Sequence, residues 1–246
     1  MKLEDGSVLR SSKVILTNGT FLRAVMHVGE KISEGGRVGE GAVHAIVEER
    51  KENGNYKEFD DFMKLVPERV LIILDEAYYE YAQGMNDYPD SMLYRYDNVI
   101  TLRTFSKVYG LAGLRVGYSV SSQEIADYLN RVRQPFNVNS LALKAAEIAL
   151  TDKEHLKNSL ELNKKEKQNL YKFFQSSGYK YIETYANFIC FDCKSNSRDL
   201  FNKLLKKGVI ARSMEIYKMP SHVRVTIGLP EENSIFTEAL LSHGAT

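Results

Sequence analysis

Short apolar runs and longer stretches of helical period alternate along most of this chain. Val70-Leu71-Ile72-Ile73-Leu74 is a continuous aliphatic run, the pattern of a strand buried on both faces of a parallel sheet. Val99–Arg103 and Val116–Val120 predict two further strands. Gln123–Val132 is helical in pattern until Pro135 interrupts it, and Ser140–Leu150 resumes the helical period. His155–Phe174 predicts a long amphipathic helix, with Leu156, Leu160, Leu170, Phe173 and Phe174 on one side and Lys164-Lys165-Glu166-Lys167 as a solvated face. Gly178 suits its stop. Strands at Tyr179–Ile182 and Phe188–Asp192 follow, then a helix over Arg198–Lys207 closed by Gly208. Strands at Val209–Ala211 and Val223–Ile227 and a helix over Glu231–Leu241 complete the order, an α/β layer able to form its own small core.

Two of these strands end in residues with chemistry. Val70–Leu74 runs into Asp75-Glu76-Ala77-Tyr78-Tyr79-Glu80-Tyr81, and ligands of a parallel sheet gather beyond the strand C-termini. An aspartate there can pair with a protonated pyridine nitrogen, and Tyr78 can hydrogen-bond a phenolic ring oxygen. Alternatively, Asp75 starts a turn and the tyrosines pack beneath it. Val99–Arg103 leads into Thr104-Phe105-Ser106-Lys107-Val108-Tyr109-Gly110-Leu111-Ala112-Gly113-Leu114-Arg115. A lysine amine attacks a carbonyl only as the free base, which partial burial and a cationic neighbour favour, so Lys107 is a candidate Schiff-base lysine. Thr104, Ser106 and Arg115 offer two hydroxyls and a guanidinium fork to a phosphate. Taken alone, the Ser106-Lys107 pair would be an ordinary surface feature.

Together these residues resemble the pyridoxal-phosphate-dependent class I/II aminotransferases, and most closely their histidinol-phosphate branch, from about Glu58 to the end. The resemblance implies an α/β chain of aspartate-aminotransferase-like fold (fold type I), with an incomplete large domain and a C-terminal small α/β domain. It implies pyridoxal 5'-phosphate as cofactor and Lys107 as the lysine that carries it. Asp75 and Tyr78 would partner the pyridine nitrogen and ring oxygen, and Thr104, Ser106 and Arg115 the phosphate. Arg133-Gln134-Pro135-Phe136-Asn137-Val138-Asn139 is similar to the segment leading into that family's interdomain helix. Arg212 and Arg224 stand where the family handles anionic groups of its substrates; for Arg212 a solvent-facing strand position is the alternative. The implied reaction is transfer of an amino group from a small-molecule donor to a 2-oxo acid, as in histidinol-phosphate:2-oxoglutarate transamination of histidine biosynthesis, in a homodimer.

Upstream the sequence departs from that family. Where its Asn-Pro-Thr-Gly turn is expected the chain has Lys51-Glu52-Asn53-Gly54-Asn55-Tyr56, and the phosphate cup and stacking aromatic have no counterpart. Instead, Val14-Ile15-Leu16-Thr17-Asn18-Gly19-Thr20-Phe21-Leu22-Arg23, with His27-Val28-Gly29-Glu30 and Gly35-Gly36-Arg37-Val38-Gly39-Glu40, is similar to the glucose-inhibited division protein A family of flavin-dependent tRNA-modifying enzymes. That likeness spans about Lys2 to Ala42 and lacks a dinucleotide fingerprint. Gly36, Gly39 and Gly41 are loop punctuation rather than a phosphate loop, since no Lys-Ser or Lys-Thr follows them. The implied organisation is a fragment at 1–44, the C-terminal part of a cofactor-binding domain at 45–150 and a small domain at 151–246.

Composition changes this picture little. The 246 residues are 43% hydrophobic and carry a net charge of +1, which argues against disorder and leaves no electrostatic footprint for nucleic acid. No apolar segment is long enough to span a bilayer and the first residues are no secretory signal, so a cytoplasmic location is expected. Cys190 and Cys193 are the only cysteines; three apart on a strand they point to opposite faces, and no histidine completes a zinc set, so no metal is expected. Two other readings remain open: an inactive fused or truncated aminotransferase, and an accessory of tRNA modification.

Overall fold

The apolar run at 70–74 becomes the middle strand of a five-stranded sheet. The structure, a computed structural model, describes residues 57–83, 85, 88, 90, 91 and 96–242, together with the backbone of 13–17 and 25–27. The glycine-rich stretch at 35–41, the 51–56 turn and most of the 2–42 segment lie outside the described residues. Two units make up the chain, Met1–Lys153 and Glu154–Thr246.

In the first unit the strands are β1 (Lys13–Thr17), β2 (Val25–His27), β3 (Leu71–Asp75), β4 (Val99–Thr104) and β5 (Gly117–Val120), in spatial order β2-β1-β3-β4-β5. β1, β3 and β4 are parallel, while β2 and β5 pair antiparallel on β1 and β4. Helix α1 (Lys57–Leu65) packs Phe59 and Met63 against Val70, Ile72, Leu74 and Val99. Burial along β3 alternates rather than staying uniform: Ile72 and Leu74 are buried, whereas Leu71, Ile73 and Asp75 are half-buried. The continuous aliphatic run therefore overstated its burial, because aliphatic residues also occupy the less covered face. A one-turn helix α2 (Tyr79–Ala82) follows β3. Helices α3 (Gln123–Val132) and α4 (Ser140–Thr151) follow β5 at the expected positions, and the Asn139 side chain caps α4 by accepting from the Ala142 N–H at 2.8 Å. Ala142 and Ala146 of α4 join Phe105 and Val116 in a second core.

The second unit begins with the long helix α5 (Lys153–Ser176). A four-stranded sheet follows, of β6 (Tyr181–Ile182), β7 (Phe188–Asp192), β8 (Arg212–Ser213) and β9 (His222–Thr226), ordered β6-β7-β9-β8 with every pair antiparallel. Helices α6 (Ser197–Lys206) and α7 (Pro230–Leu241) pack with α5 around Phe174, Ile189, Phe191, Leu200, Val223 and Leu240. Gly178 and Gly208 close α5 and α6 at φ of 68° and 78°, the left-handed geometry that favours glycine.

Two expectations change here. The third strand lies at Arg212–Ser213, not Val209–Ala211, whose Ala211 side chain instead enters the core. Glu166 does not belong to a solvated helix face: it is buried, and accepts hydrogen bonds from the Asn169 and Asn233 amides at 2.9 and 2.8 Å. Both cysteines are buried, and they are not joined in a disulfide. Among the described residues no helix is long and apolar enough to cross a membrane.

Candidate active site

The two strand ends singled out by sequence lie side by side. In the β3–β4 register Asp75 pairs with Leu102, so side-chain alternation puts Asp75 and Thr104 on one face of the sheet and Arg103 on the other. Asp75 accepts the Ala77 N–H at 3.1 Å, which fixes the turn out of β3. Burial raises the Asp75 pKa above the ordinary carboxylate range; the Ala77 hydrogen bond and the Lys107 charge pull it back. The turn-starting alternative for Asp75 is thus realised, and its carboxyl also feels the Lys107 charge.

Lys107 is half-buried in a turn clamped from both sides. Phe105 and Val108 are buried, the Leu111 N–H bonds the Phe105 carbonyl at 2.9 Å, and the Gly110 N–H bonds the Lys107 carbonyl at 2.9 Å. Gly110 sits at φ 71°, which closes the turn without a Cβ clash. The Lys107 Nζ lies 4.8 Å from the centroid of the Tyr78 ring. The Thr104 hydroxyl accepts the Ser106 N–H at 3.1 Å and keeps its own proton to donate. Arg115 is exposed, in the left-handed region at φ 54°, and its Nη1 donates to the Ala112 carbonyl at 2.8 Å. Asp75, Tyr78, Thr104, Ser106, Lys107 and Arg115 thus all belong to one unit, at the ends of β3 and β4 and the approach to β5.

Arg212 and Arg224 belong to the other unit. They are direct cross-strand partners in the β8–β9 pair. Arg212 donates to the Tyr217 hydroxyl at 3.0 Å, and the Arg224 guanidinium lies 4.7 Å from the Phe188 ring centroid. Val223 and Val225, which flank Arg224, are buried in the core, so the arginine face is the one turned away from it.

Sequence reasoning missed the charged cluster behind Asp75. Arg103 donates through Nε and Nη2 to Glu76 Oε2 at 3.1 and 3.0 Å, and through Nη2 to Asp90 at 2.7 Å. Its guanidinium carbon lies 3.4 Å from the Tyr79 ring centroid. Ser91 hydrogen-bonds both Thr101 and Glu76, and Arg103 also bonds Tyr118. Burial pulls Arg103 down, but Glu76 and Asp90 outweigh it and hold the guanidinium above its ordinary pKa. Burial raises Glu76, with Arg103 opposing, and Tyr79 is pushed up to about 12 by burial and its bond to Asp90. Charged residues following two adjacent buried strands, Glu76 after β3 and Arg103 late in β4, were the available signal.

A half-buried lysine and an aspartate stand at the ends of neighbouring strands of a mixed sheet, and an antiparallel α/β unit follows. The chain belongs to the aminotransferase class I and II family, whose model matches residues 55–240. It is 55% identical over 183 residues to histidinol-phosphate aminotransferase 2 of Pseudomonas fluorescens strain Pf0-1, covering 74% of this chain and 49% of that protein. The histidinol-phosphate aminotransferase from Sinorhizobium meliloti, solved in complex with pyridoxal-5'-phosphate, shares the fold with a TM-score of 0.69 and 28% identity, over 76% of this chain and 53% of that one. The histidinol-phosphate aminotransferase from Clostridium acetobutylicum shares it with a TM-score of 0.73 at 23% identity, over 94% of this chain and 64% of that one. The chain spans about half the length of the curated relatives it matches. A second family model, glucose inhibited division protein A, matches residues 1–86, reaching past the 2–42 stretch expected from sequence and overlapping the aminotransferase match as far as α2.

Proposed function

We propose that this chain carries the lysine-bearing half of a pyridoxal-phosphate-dependent aminotransferase acting on histidinol phosphate. The observation that carries the reading is the convergence of Lys107, Asp75 and Tyr78 at adjacent strand ends. The donor set suits the cofactor. A half-buried carboxylate on the lysine's side of the sheet can pair with a pyridine nitrogen, and a threonine hydroxyl with a free proton can donate to a phosphate. When bound, pyridoxal phosphate supplies an electron sink for charge developing at the substrate α-carbon. Asp75 holds the pyridinium charge, Tyr78 donates to the ring oxygen, and Thr104, Ser106 and Arg115 fix the phosphate. Lys107, pinned by Phe105 and Val108, moves the proton at the substrate α-carbon.

Arg212 and Arg224 bind the anionic groups of the substrates. The two arginines are direct cross-strand partners on the face turned away from the core, so one anion can reach both, which supports this role. The amino donor is histidinol phosphate and the acceptor a 2-oxo acid, in the cytoplasm. Exposed Val132, Phe136, Leu141 and Ile148 along α3 and α4 support assembly with a second copy as a homodimer. The match of residues 1–86 to an unrelated family supports the second reading, a fused chain that binds the cofactor without turnover.

The deciding experiment is the visible spectrum of the purified chain with added pyridoxal phosphate, before and after borohydride, beside Lys107→Ala. A band that borohydride removes while fixing the cofactor to Lys107 is the expected result, and justifies assays with histidinol phosphate and 2-oxoglutarate. A band without turnover selects the fused, non-catalytic reading. No Lys107-dependent band overturns the cofactor assignment.

A further inference from the structure

The cluster behind the sheet has a geometry that bears on the site in front of it. Asp75 and Glu76 are consecutive, so one faces the site and the other faces away; the same holds for Thr104 and Arg103 on β4. Arg103 grips both residues that neighbour site residues on the β3 side: Glu76, next to Asp75, through two N–H donors, and Tyr79, next to Tyr78, through its ring. Only 8% of the Arg103 side chain and 3% of Glu76 are exposed, so the pair is shielded from competing water. Asp90 occupies a further donor, and the Glu76 N–H bonds the Leu102 carbonyl at 2.9 Å, which stitches the two strand ends together through the backbone as well.

A planar guanidinium with several partners holds all of them in one geometry, as a lysine ammonium would not. We propose that Arg103 is a positioning residue, which clamps Glu76, Tyr79 and Asp90 behind the sheet and thereby sets Asp75 and Tyr78 against Lys107. It touches none of the reacting groups itself. Its role rests on the reading of Lys107, Asp75 and Tyr78 as the cofactor site, but its effect on Lys107 can be measured without cofactor.

The test uses the full chain as wild type, Arg103→Lys and Glu76→Gln, each first checked for a cooperative thermal transition. Arg103→Lys keeps the charge and loses the fork; Glu76→Gln keeps the shape and loses the charge, and stands in if Arg103→Lys fails to fold. In the cofactor-free chain, acetylation of Lys107 by acetic anhydride is followed by peptide mass spectrometry against the exposed Lys165. The folded variants are expected to acetylate Lys107 about threefold faster relative to Lys165, because Tyr78 and Asp75 no longer stay packed beside it. With pyridoxal phosphate, they are expected to bind about tenfold more weakly and to lose about half the visible circular dichroism per bound cofactor, which reports ring orientation. Unchanged Lys107 labelling in a folded variant, with binding within about twofold of wild type, overturns the positioning role. If wild type shows no Lys107-dependent band while the labelling difference holds, the cofactor reading fails and the clamp on Lys107's surroundings stands.

Discussion

Arg212 and Arg224 face each other directly across the β8–β9 pair, two cations on one face of an antiparallel sheet. Like charges directly opposite cost a sheet a few tenths of a kcal/mol, roughly, and an anion bound across the pair would offset that cost. Phosphate should therefore raise the melting temperature of the wild-type chain, and Arg212→Gln or Arg224→Gln should reduce that rise. Arg212→Gln also removes the bond to the Tyr217 hydroxyl, so its melting temperature in phosphate-free buffer is the baseline for its own phosphate response. Differential scanning fluorimetry at matched ionic strength measures both; an equal rise in all three proteins counts against the anion site.

Glu80 is buried, and its Oε2 has no hydrogen-bond partner among the described residues. Burial raises its pKa above the ordinary 4.5, with its backbone and Arg103 opposing and Glu76 adding to the rise. The folded chain thus holds this proton more tightly than the unfolded chain. The resulting stability is fully present below pH 4.5 and is lost as pH rises through the folded-state value. Asp75 and Glu76 shift in the same direction. Glu80→Gln should match wild type at about pH 4 and exceed it by roughly 1 kcal/mol at about pH 7, by urea denaturation at each pH. A gap that does not change with pH would falsify the assignment.

Glu166 bridges α5 and α7 through the Asn233 amide, which also bonds the Gly228 carbonyl at 3.0 Å. Removing the carboxylate leaves the buried Asn233 amide with only the Gly228 carbonyl as acceptor and opens a hole between the helices. Glu166→Ala should destabilise the chain by about 3 kcal/mol, whereas the exposed Glu161→Ala should change it by less than about 0.5 kcal/mol. Urea midpoints at constant m-value separate the two.

Gly117 lies opposite Thr104, and a Cβ there would stand 2.8 Å from the Arg103 carbonyl oxygen. Gly117→Ala should cost about 1–3 kcal/mol and disturb the strand that leads to Lys107. Gly113, in the short 3-10 turn over Ala112–Leu114, has nothing within 4 Å of a built Cβ, so Gly113→Ala should be neutral or slightly stabilising. Thermal melts of the two variants side by side make the comparison, and similar losses would show that the close approach does not matter.

From β3 onward the sequence by itself determined the order of the strands and longer helices, and which residues stand at strand ends. Helices α3, α4, α6 and α7 and strands β4, β5, β7 and β9 fall within a few residues of their expected bounds, because each rests on local periodicity and on stops such as Pro135, Gly178 and Gly208. The placement of Lys107, Asp75 and Tyr78 just beyond strand ends was legible, because where a strand stops is a local signal.

What lies across strands was not legible. The charges in Lys164-Lys165-Glu166-Lys167 look alike along the chain, and only the packing of α7 against α5 sends Glu166 inward to Asn233. Nor does one strand reveal that Arg103 meets Glu76, or that Arg212 meets Arg224, since those pairs depend on register. Local sequence sets the period of each element, whereas burial and pairing are properties of two elements at once. The tertiary structure alone therefore decided which charges are solvated and which are clamped together.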